Sequence, residues 1–392
     1  LRNDGDLQFE NVANDRFPGL VTAALWTDAN GDGWLDLLVA HEWGEVKFFR
    51  NDKGNLSEQT KEAGLAGRTG WWNSLAGGDF DGDGDMDYVV GNVGLNTKYD
   101  APALLLYGDV DGSGKKRILE AEFENGVCYP VRGLSCSSNA MPFLRKRVPK
   151  FHDFASATLF DLYAGRLEKA QRFEANTLES GVLINDGSGQ FEFRALPSIA
   201  QASPVFGIAI SDFDADGNED LFLAQNSFAP QVETGRMDGG VSVVLRGLGN
   251  GSFSPVRPDR SGIVIPEDSK GVALADLNGD GWSDLIVGIN GDRIQSFEVM
   301  APKDAVALTV KLAASAGLKV GATIRVELAS GKILTKEIYA GGSYLSQSSQ
   351  FQRFAVPSGD TAKQVMIRWS DGKESKRTLT KGATSLLVER AD

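Results

Sequence analysis

The nine residues Asp79-Phe80-Asp81-Gly82-Asp83-Gly84-Asp85-Met86-Asp87 place carboxylates at positions 1, 3, 5 and 9 of a loop, with glycine at position 6 for a sharp turn. A hard cation such as Ca2+ is held by about six to eight oxygens at short range, and this spacing supplies them. Left unliganded, a loop this acidic repels itself. The pattern recurs three times: Asp28, Asn30, Asp32, Trp34 and Asp36; Asp212, Asp214, Asp216, Asn218 and Asp220; and Asp276, Asn278, Asp280, Trp282 and Asp284 hold the odd-numbered positions. One such loop could arise by chance; four in register indicate about four Ca2+ sites. In two of them the seventh position is tryptophan, so its contribution must be a backbone carbonyl.

An EF-hand would close each site with a glutamate at position 12 and run on into a helix. Here position 12 is Val39, Val90, Leu223 or Val287, which cannot coordinate a cation. The residues after each loop are apolar and largely β-branched, which predicts a buried strand. Each loop must therefore join two strands and be completed by the aspartates at position 9 and the carbonyls at position 7.

The elements that carry these loops belong to a chain of 392 residues, long enough for two or three domains. Its 46 glycines and 42% hydrophobic content suit a globular protein rich in turns. A net charge of -13 argues against a nucleic-acid partner, which calls for clustered Lys and Arg. The four loops hold three, five, five and three acidic residues, so much of the acidity belongs to metal sites. No apolar run approaches the roughly 20 residues of a membrane helix. The chain opens at Leu1 rather than Met, as a mature or truncated part of a longer exported protein would, so a missing leader says nothing about export. Weak to moderate Ca2+ sites fill at extracellular calcium, which favours export, and Cys128 and Cys136 would then form a local disulfide.

A second repeat is interleaved with the first. Turn-like tips occur at Asn3-Asp4-Gly5-Asp6-Leu7, Asn51-Asp52-Lys53-Gly54, Asn185-Asp186-Gly187-Ser188 and Gly249-Asn250-Gly251. Residues 20–59 give the clearest unit, four antiparallel strands in about 40 residues, the size of one propeller blade. The second unit runs from Trp72 through its loop to the strand Leu104-Leu105-Leu106-Tyr107. A fifth loop, Asp109 to Arg117, has a guanidinium at position 9 that should neutralise Asp109 and Asp111 in place of a cation. Apolar spacing from Phe151 to Ala175, after Arg145-Lys146-Arg147, predicts a helical insertion at about 140–178. Past a linker near Ala301-Pro302-Lys303-Asp304, period-two strands with Ser330-Gly331 and Asp371-Gly372 turns predict a small β-sandwich over 305–392.

The stretch "DFDGDGDMDYVVGN" resembles FG-GAP or VCBS repeats, and "VGATIRVELASG", "GGSYLSQSS" and "VMIRWSDG" resemble the ASPIC/UnbV domain. Where relatives continue after the SQS element with a His-Phe-Gly-Leu-Gly-like stretch, this chain has Phe351-Gln352-Arg353-Phe354-Ala355-Val356. The resemblance implies an all-β chain: a β-propeller of five to seven blades over 1–300, a C-terminal ASPIC/UnbV-like β-sandwich, Ca2+ at the matching Asp and Asn positions, and an extracellular, periplasmic or outer cell-surface location. It implies no reaction.

Two histidines, His41 and His152, and no nucleophile or phosphate-binding motif leave catalysis without a residue set. The expected function is a calcium-stabilised binding or adhesion module for protein or polysaccharide. The alternative is a polysaccharide lyase or hydrolase on the same scaffold. Trp26, Trp34, Trp43, Trp71, Trp72 and Trp282 are candidates for stacking on sugars or for packing between blades.

Overall fold

The apolar residues behind each acidic loop enter strands at the loop's last aspartate: Asp36–Glu45, Asp87–Gly91, Asp220–Gln225 and Asp284–Ile289. Val39, Val90, Leu223 and Val287 are buried within them. Each strand pairs antiparallel with the one before its loop, namely Leu20–Thr27, Ser74–Gly78, Val205–Ser211 and Ser269–Ala275. The loops are thus hairpin connections, and no helix follows them. These features come from a computed structural model that describes residues 2–5, 8–10, 19–230, 234–300, 302–314 and 316–390. The chain is all-β, with 43% strand and 10% helix. Asp6 and Leu7 of the N-terminal tip, and Ala301 of the linker, lie outside the described residues.

Further strands extend each hairpin. Lys47–Asp52 and Asn55–Glu58 complete the first sheet, with Thr69–Trp71 on the distal half of Asp36–Glu45. Val243–Gly247 and Phe253–Val256 complete the third, and Gln295–Phe297 is the third strand of the fourth. The leading strands of the four sheets are neighbours in chain order. Apolar cores fill the spaces between successive sheets. Leu38 and Phe48 meet Leu75, Tyr88 and Leu183; Val89 and Val182 meet Ile208 and Leu221; Phe222 and Ala224 meet Val272 and Val287. Burying each large side chain in this way contributes about 1.5–3 kcal/mol.

The second sheet is interrupted. Its third and fourth strands are Gly181–Asn185 and Phe191–Ala195, and Gly181–Asn185 pairs with Asp87–Gly91 across a long insertion. The run Leu104-Leu105-Leu106-Tyr107 is therefore not this unit's next strand. It belongs to a separate sheet of Val127–Pro130, Arg117–Glu124, Ala103–Gly108 and Gln171–Ala175. The fifth acidic loop sits on that inserted sheet. Only four loop-bearing sheets stand in the row among the described residues, one fewer than the lowest blade count expected. The insertion is also less helical than its spacing suggests. Phe151–Ala155 stops, a capping box between Thr158 and Asp161 starts Leu159–Tyr163, Ala164 at φ 47 breaks that helix, and Gln171–Ala175 is a strand. Leu134–Ala140 and Phe143–Arg147 precede them.

Cys128, on the strand Val127–Pro130, and Cys136, on the helix Leu134–Ala140, are both free, which corrects the expected disulfide. The connection between them turns from a strand into a helix, and the Arg132 guanidinium lies beside the Cys136 sulfur.

Residues 306–389 form two sheets over one core. One is Gln352–Val356, Val306–Ala313 and Ser385–Glu389; the other is Ile333–Glu337, Thr323–Leu328, Ala362–Arg368 and Glu374–Thr378. Leu308, Val310, Ile324, Val326, Phe354, Ile367 and Trp369 are buried between them.

Candidate metal centres

Every loop curls around its own amides. In the first, Asp28 Oδ2 accepts from Gly33 N at 3.0 Å, Asn30 Oδ1 from Asp32 N at 2.9 Å and Asp32 Oδ1 from Trp34 N at 2.9 Å. In the fourth, Asp276, Asn278 and Asp280 accept from Gly281, Asp280 and Trp282 amides in the same register. Position 6 is glycine because its φ is +94°, +95°, +86° and +92° at Gly33, Gly84, Gly217 and Gly281, a region that side chains avoid.

These turns aim carboxylates inward. Oxygens of Asp79, Asp81 and Asp87 lie within 4.8 Å of one another, as do those of Asp212, Asp214 and Asp216. The first and fourth loops carry asparagine at position 3 and so present fewer charges. In the first, however, Asp28 Oδ1 and Asp36 Oδ2 are buried without a hydrogen-bond partner. A buried carboxylate oxygen left unpaired is costly, and a cation placed between them would satisfy both. Asp83 and Asp85, at positions 5 and 7 of the second loop, are tied by a hydrogen bond from Asp85 N to Asp83 Oδ1 at 2.9 Å and stand nearer the solvent. All-oxygen donors in this arrangement fit Ca2+.

Position 9 does more than the spacing implied. Asp87 accepts from Phe80 N at 2.9 Å and from Asn185 N at 2.8 Å, Asp220 from Phe213 N and Gly247 N, and Asp284 from Leu277 N and Val299 N. In the first loop Asp36 accepts from Asn51 N at 2.8 Å. This aspartate clips its own loop to the chain beyond the next strand, so it is a staple of the sheet as well as a ligand candidate.

Burial, and then the neighbouring like charges, raise these acids. Asp36, Asp79, Asp87 and Asp220 are pushed up to about 7 and Asp212 to about 8, with Asp28, Asp81, Asp85 and Asp214 moved the same way. The fifth loop behaves oppositely. Against the pull of burial, hydrogen bonds from Ser113 and the Arg117 guanidinium, 2.9 Å away, hold Asp111 down at about 2.

Several cations that no local pattern announced stand at the loops. Arg246 pairs with Asp214 at 2.7 Å and Asp216 at 2.6 Å, at the mouth of the third loop. From the C-terminal sheets, Arg368 reaches Asp28 at 2.6 Å, Arg325 donates to Gly84 O at 3.0 Å, Lys332 to Asn218 Oδ1 at 2.8 Å, and Lys336 pairs with Glu219 at 2.8 Å. The Asn218 side chain is therefore engaged by Lys332, and its backbone carbonyl is the oxygen left for a cation.

The tryptophans divide. Trp72 is packed between the first two sheets and Trp282 is buried, whereas Trp26 and Trp34 are 44% and 45% exposed. Trp43, Trp71 and Tyr99 pack in succession, tilted and then edge-to-face, with ring centres 5.4 and 5.5 Å apart between the first sheet and the insertion. His41 is buried with Nδ1 3.0 Å from Glu45 O, and burial lowers its pKa; His152 is exposed on a short helix. No helix among the described residues is long and apolar enough to cross a membrane.

No curated protein matches the chain. Among solved structures, the V. cholerae biofilm matrix protein Bap1 is 13% identical over 94% of this chain and 74% of its own, with a TM-score of 0.16. The Bacillus licheniformis rhamnogalacturonan lyase PL11 is 12% identical over 95% and 73%, with a TM-score of 0.22. At these scores neither likeness extends to a shared arrangement of the whole chain. Family models do match: FG-GAP-like repeat at residues 28–90 and 232–287, and ASPIC and UnbV at residues 314–392. The chain accordingly carries FG-GAP-like repeats and, over residues 314–392, an ASPIC/UnbV domain.

Proposed function

We propose that this chain is an exported, calcium-binding β-propeller that serves as a binding or adhesion module for a protein or polysaccharide outside the cell. The observation that carries the calcium reading is the convergence of carboxylates, ranging from buried to exposed, at the second and third loops, with the buried Asp28 Oδ1 and Asp36 Oδ2 of the first left unpaired. Asp28, Asn30, Asp32 and Asp36 would hold one ion, Asp79, Asp81, Asp83 and Asp87 a second, Asp212, Asp214, Asp216 and Asp220 a third, and Asp276, Asn278, Asp280 and Asp284 a fourth. The carbonyls of Trp34, Asp85, Asn218 and Trp282 would complete them. When bound, Ca2+ supplies charge neutralisation and a cross-link between loop positions. The role is structural because each position-9 aspartate already clips a loop to the strands around it. Millimolar extracellular calcium suits such sites, which supports a location outside the cytoplasm.

Calorimetric titration of the chelated protein with Ca2+ tests the metal reading, with about four ions per chain expected. No binding at millimolar Ca2+ would sink it. A glycan and matrix-protein array, probed with calcium-loaded protein and paired with an assay for new sugar ends, tests the module. Retention without turnover is expected, and turnover would replace it with an enzyme.

A further inference from the structure

The C-terminal domain reaches all four loops. Arg368 Nη1 meets Asp28 Oδ2 at 2.6 Å while Nη2 donates to Gly31 O at 3.2 Å. Arg325 donates to Gly84 O in the second loop, and Lys332 and Lys336 meet Asn218 and Glu219 in the third. Arg353 stands 3.8 Å from Asp276 in the fourth. The position-6 glycines mark the register of this contact. A Cβ on Gly33 would come to 2.8 Å from Arg368 Nη2, on Gly84 to 3.7 Å from Arg325 Nη2, on Gly217 to 2.9 Å from Lys332 Nζ, and on Gly281 to 3.4 Å from Ala307. One residue of the C-terminal domain thus sits over the same position of every loop.

The domain also touches the leading strands of the row. Ser343 N donates to Leu75 O at 3.2 Å, Ser349 N to Leu274 O at 2.9 Å, and the Ser343 hydroxyl accepts from Ile208 N. Thr27 Oγ1 donates to the buried Glu337 carboxylate at 2.6 Å.

We propose that the filled loops are the docking surface of the ASPIC/UnbV domain, so that Ca2+ binding and the seating of this domain are one coupled event. This rests on the calcium reading above. The charges make the two compatible. With three to five acids each, every loop stays net negative after taking one Ca2+, so a guanidinium or ammonium is still attracted. Coupling follows because Gly31 O, Gly84 O and Asn218 Oδ1 belong to the wrapped loop. A loop that opens through self-repulsion withdraws them, and any interaction made in only one of two states biases the equilibrium both ways.

Hydrogen exchange on the whole chain tests this, with Ca2+ and after chelation, and with Ca2+ counted in parallel by titration. Chelation is expected to speed exchange at Ser343 and Ser349 at least tenfold more than at the sheet-core amides of Leu38 and Val89. The variant Arg325→Gln/Lys332→Gln/Arg353→Gln/Arg368→Gln is expected to bind Ca2+ yet exchange fast at Ser343 and Ser349 even when loaded. Arg353→Gln alone, which removes only the 3.8 Å contact at the fourth loop, should bind Ca2+ and exchange faster than the parent at Ser349, and covers the case in which the fourfold variant does not fold; parental exchange there would count against the coupling. Ca2+ binding with unchanged protection at both serines would overturn the coupling and leave the calcium reading standing. Absence of Ca2+ binding would remove both.

Discussion

The second and fifth acidic loops begin alike and end differently. Both wrap an aspartate-rich turn around their own amides, with Asp83 Oδ1 accepting from Asp85 N in one and Asp111 Oδ1 from Ser113 N in the other. At position 9 one has Asp87, fully buried and clipped to Phe80 and Asn185; the other has Arg117, folded back onto Asp111. Burial drives Asp79 up to about 7, whereas Asp111 is held near 2 by its hydroxyl and guanidinium neighbours. The lesson is that position 9 separates a loop whose last carboxylate staples its sheet from one whose last residue is a guanidinium paired with the loop's own aspartate.

That contrast can be broken most forcefully by removing calcium. At a hundredfold excess over Kd each site should add about 2.7 kcal/mol, so chelation should lower the Tm sharply. An unchanged melting curve would put the second loop in the class of the fifth. Next in size is Asp87→Ala, which leaves two buried amides unpaired at about 1–3 kcal/mol each. Urea denaturation in Ca2+ should show a loss of roughly 3 kcal/mol, against less than about 1 kcal/mol for Arg117→Ala at its more exposed pair.

A smaller effect is expected from pH. Asp36, Asp79, Asp87, Asp212 and Asp220 bind protons more tightly folded than unfolded, so they stabilise the metal-free chain below about pH 4 and lose this as pH rises through 7 to 8. The Tm of chelated protein should therefore fall between pH 5 and pH 8, while the calcium-loaded protein changes less. A rise over that range without calcium would contradict the burial of these acids. Smallest in energy but sharpest in logic is Arg117→Asp, which gives the fifth loop a carboxylate at position 9. Titration should then count one more Ca2+ than in the parent, and an unchanged count would mean that position 9 is not what separates the two loops.

The loops and their following strands were legible because both are written in consecutive residues: acids at fixed offsets, glycine where φ must be positive, then Leu37-Leu38-Val39 or Tyr88-Val89-Val90. The two C-terminal sheets were legible for the same reason, through period-two alternation. Strand partners were not, since propensity says that Leu104 to Tyr107 is a strand and nothing about which sheet receives it. The tip at Asn185 held the clue: it repeats the tip at Asn51, and each follows the third strand of its sheet. The cations over the loops were beyond local reading altogether. Arg368 meets Asp28 across 340 positions, and an arginine on an alternating strand looks like any solvated one.

Where the insertion leaves and rejoins its sheet, the two ends are fastened together. Asn92 N donates to Ser180 Oγ at 2.9 Å, and the Asn92 amide group donates to Thr177 O at 2.9 Å. To the host sheet, the stretch between Thr97 and Ala175 is therefore a detour that leaves and returns outside the pairing of Val89 with Val182. Such a clasp lets this segment be shortened, lengthened or exchanged over evolutionary time while the row of sheets keeps its register.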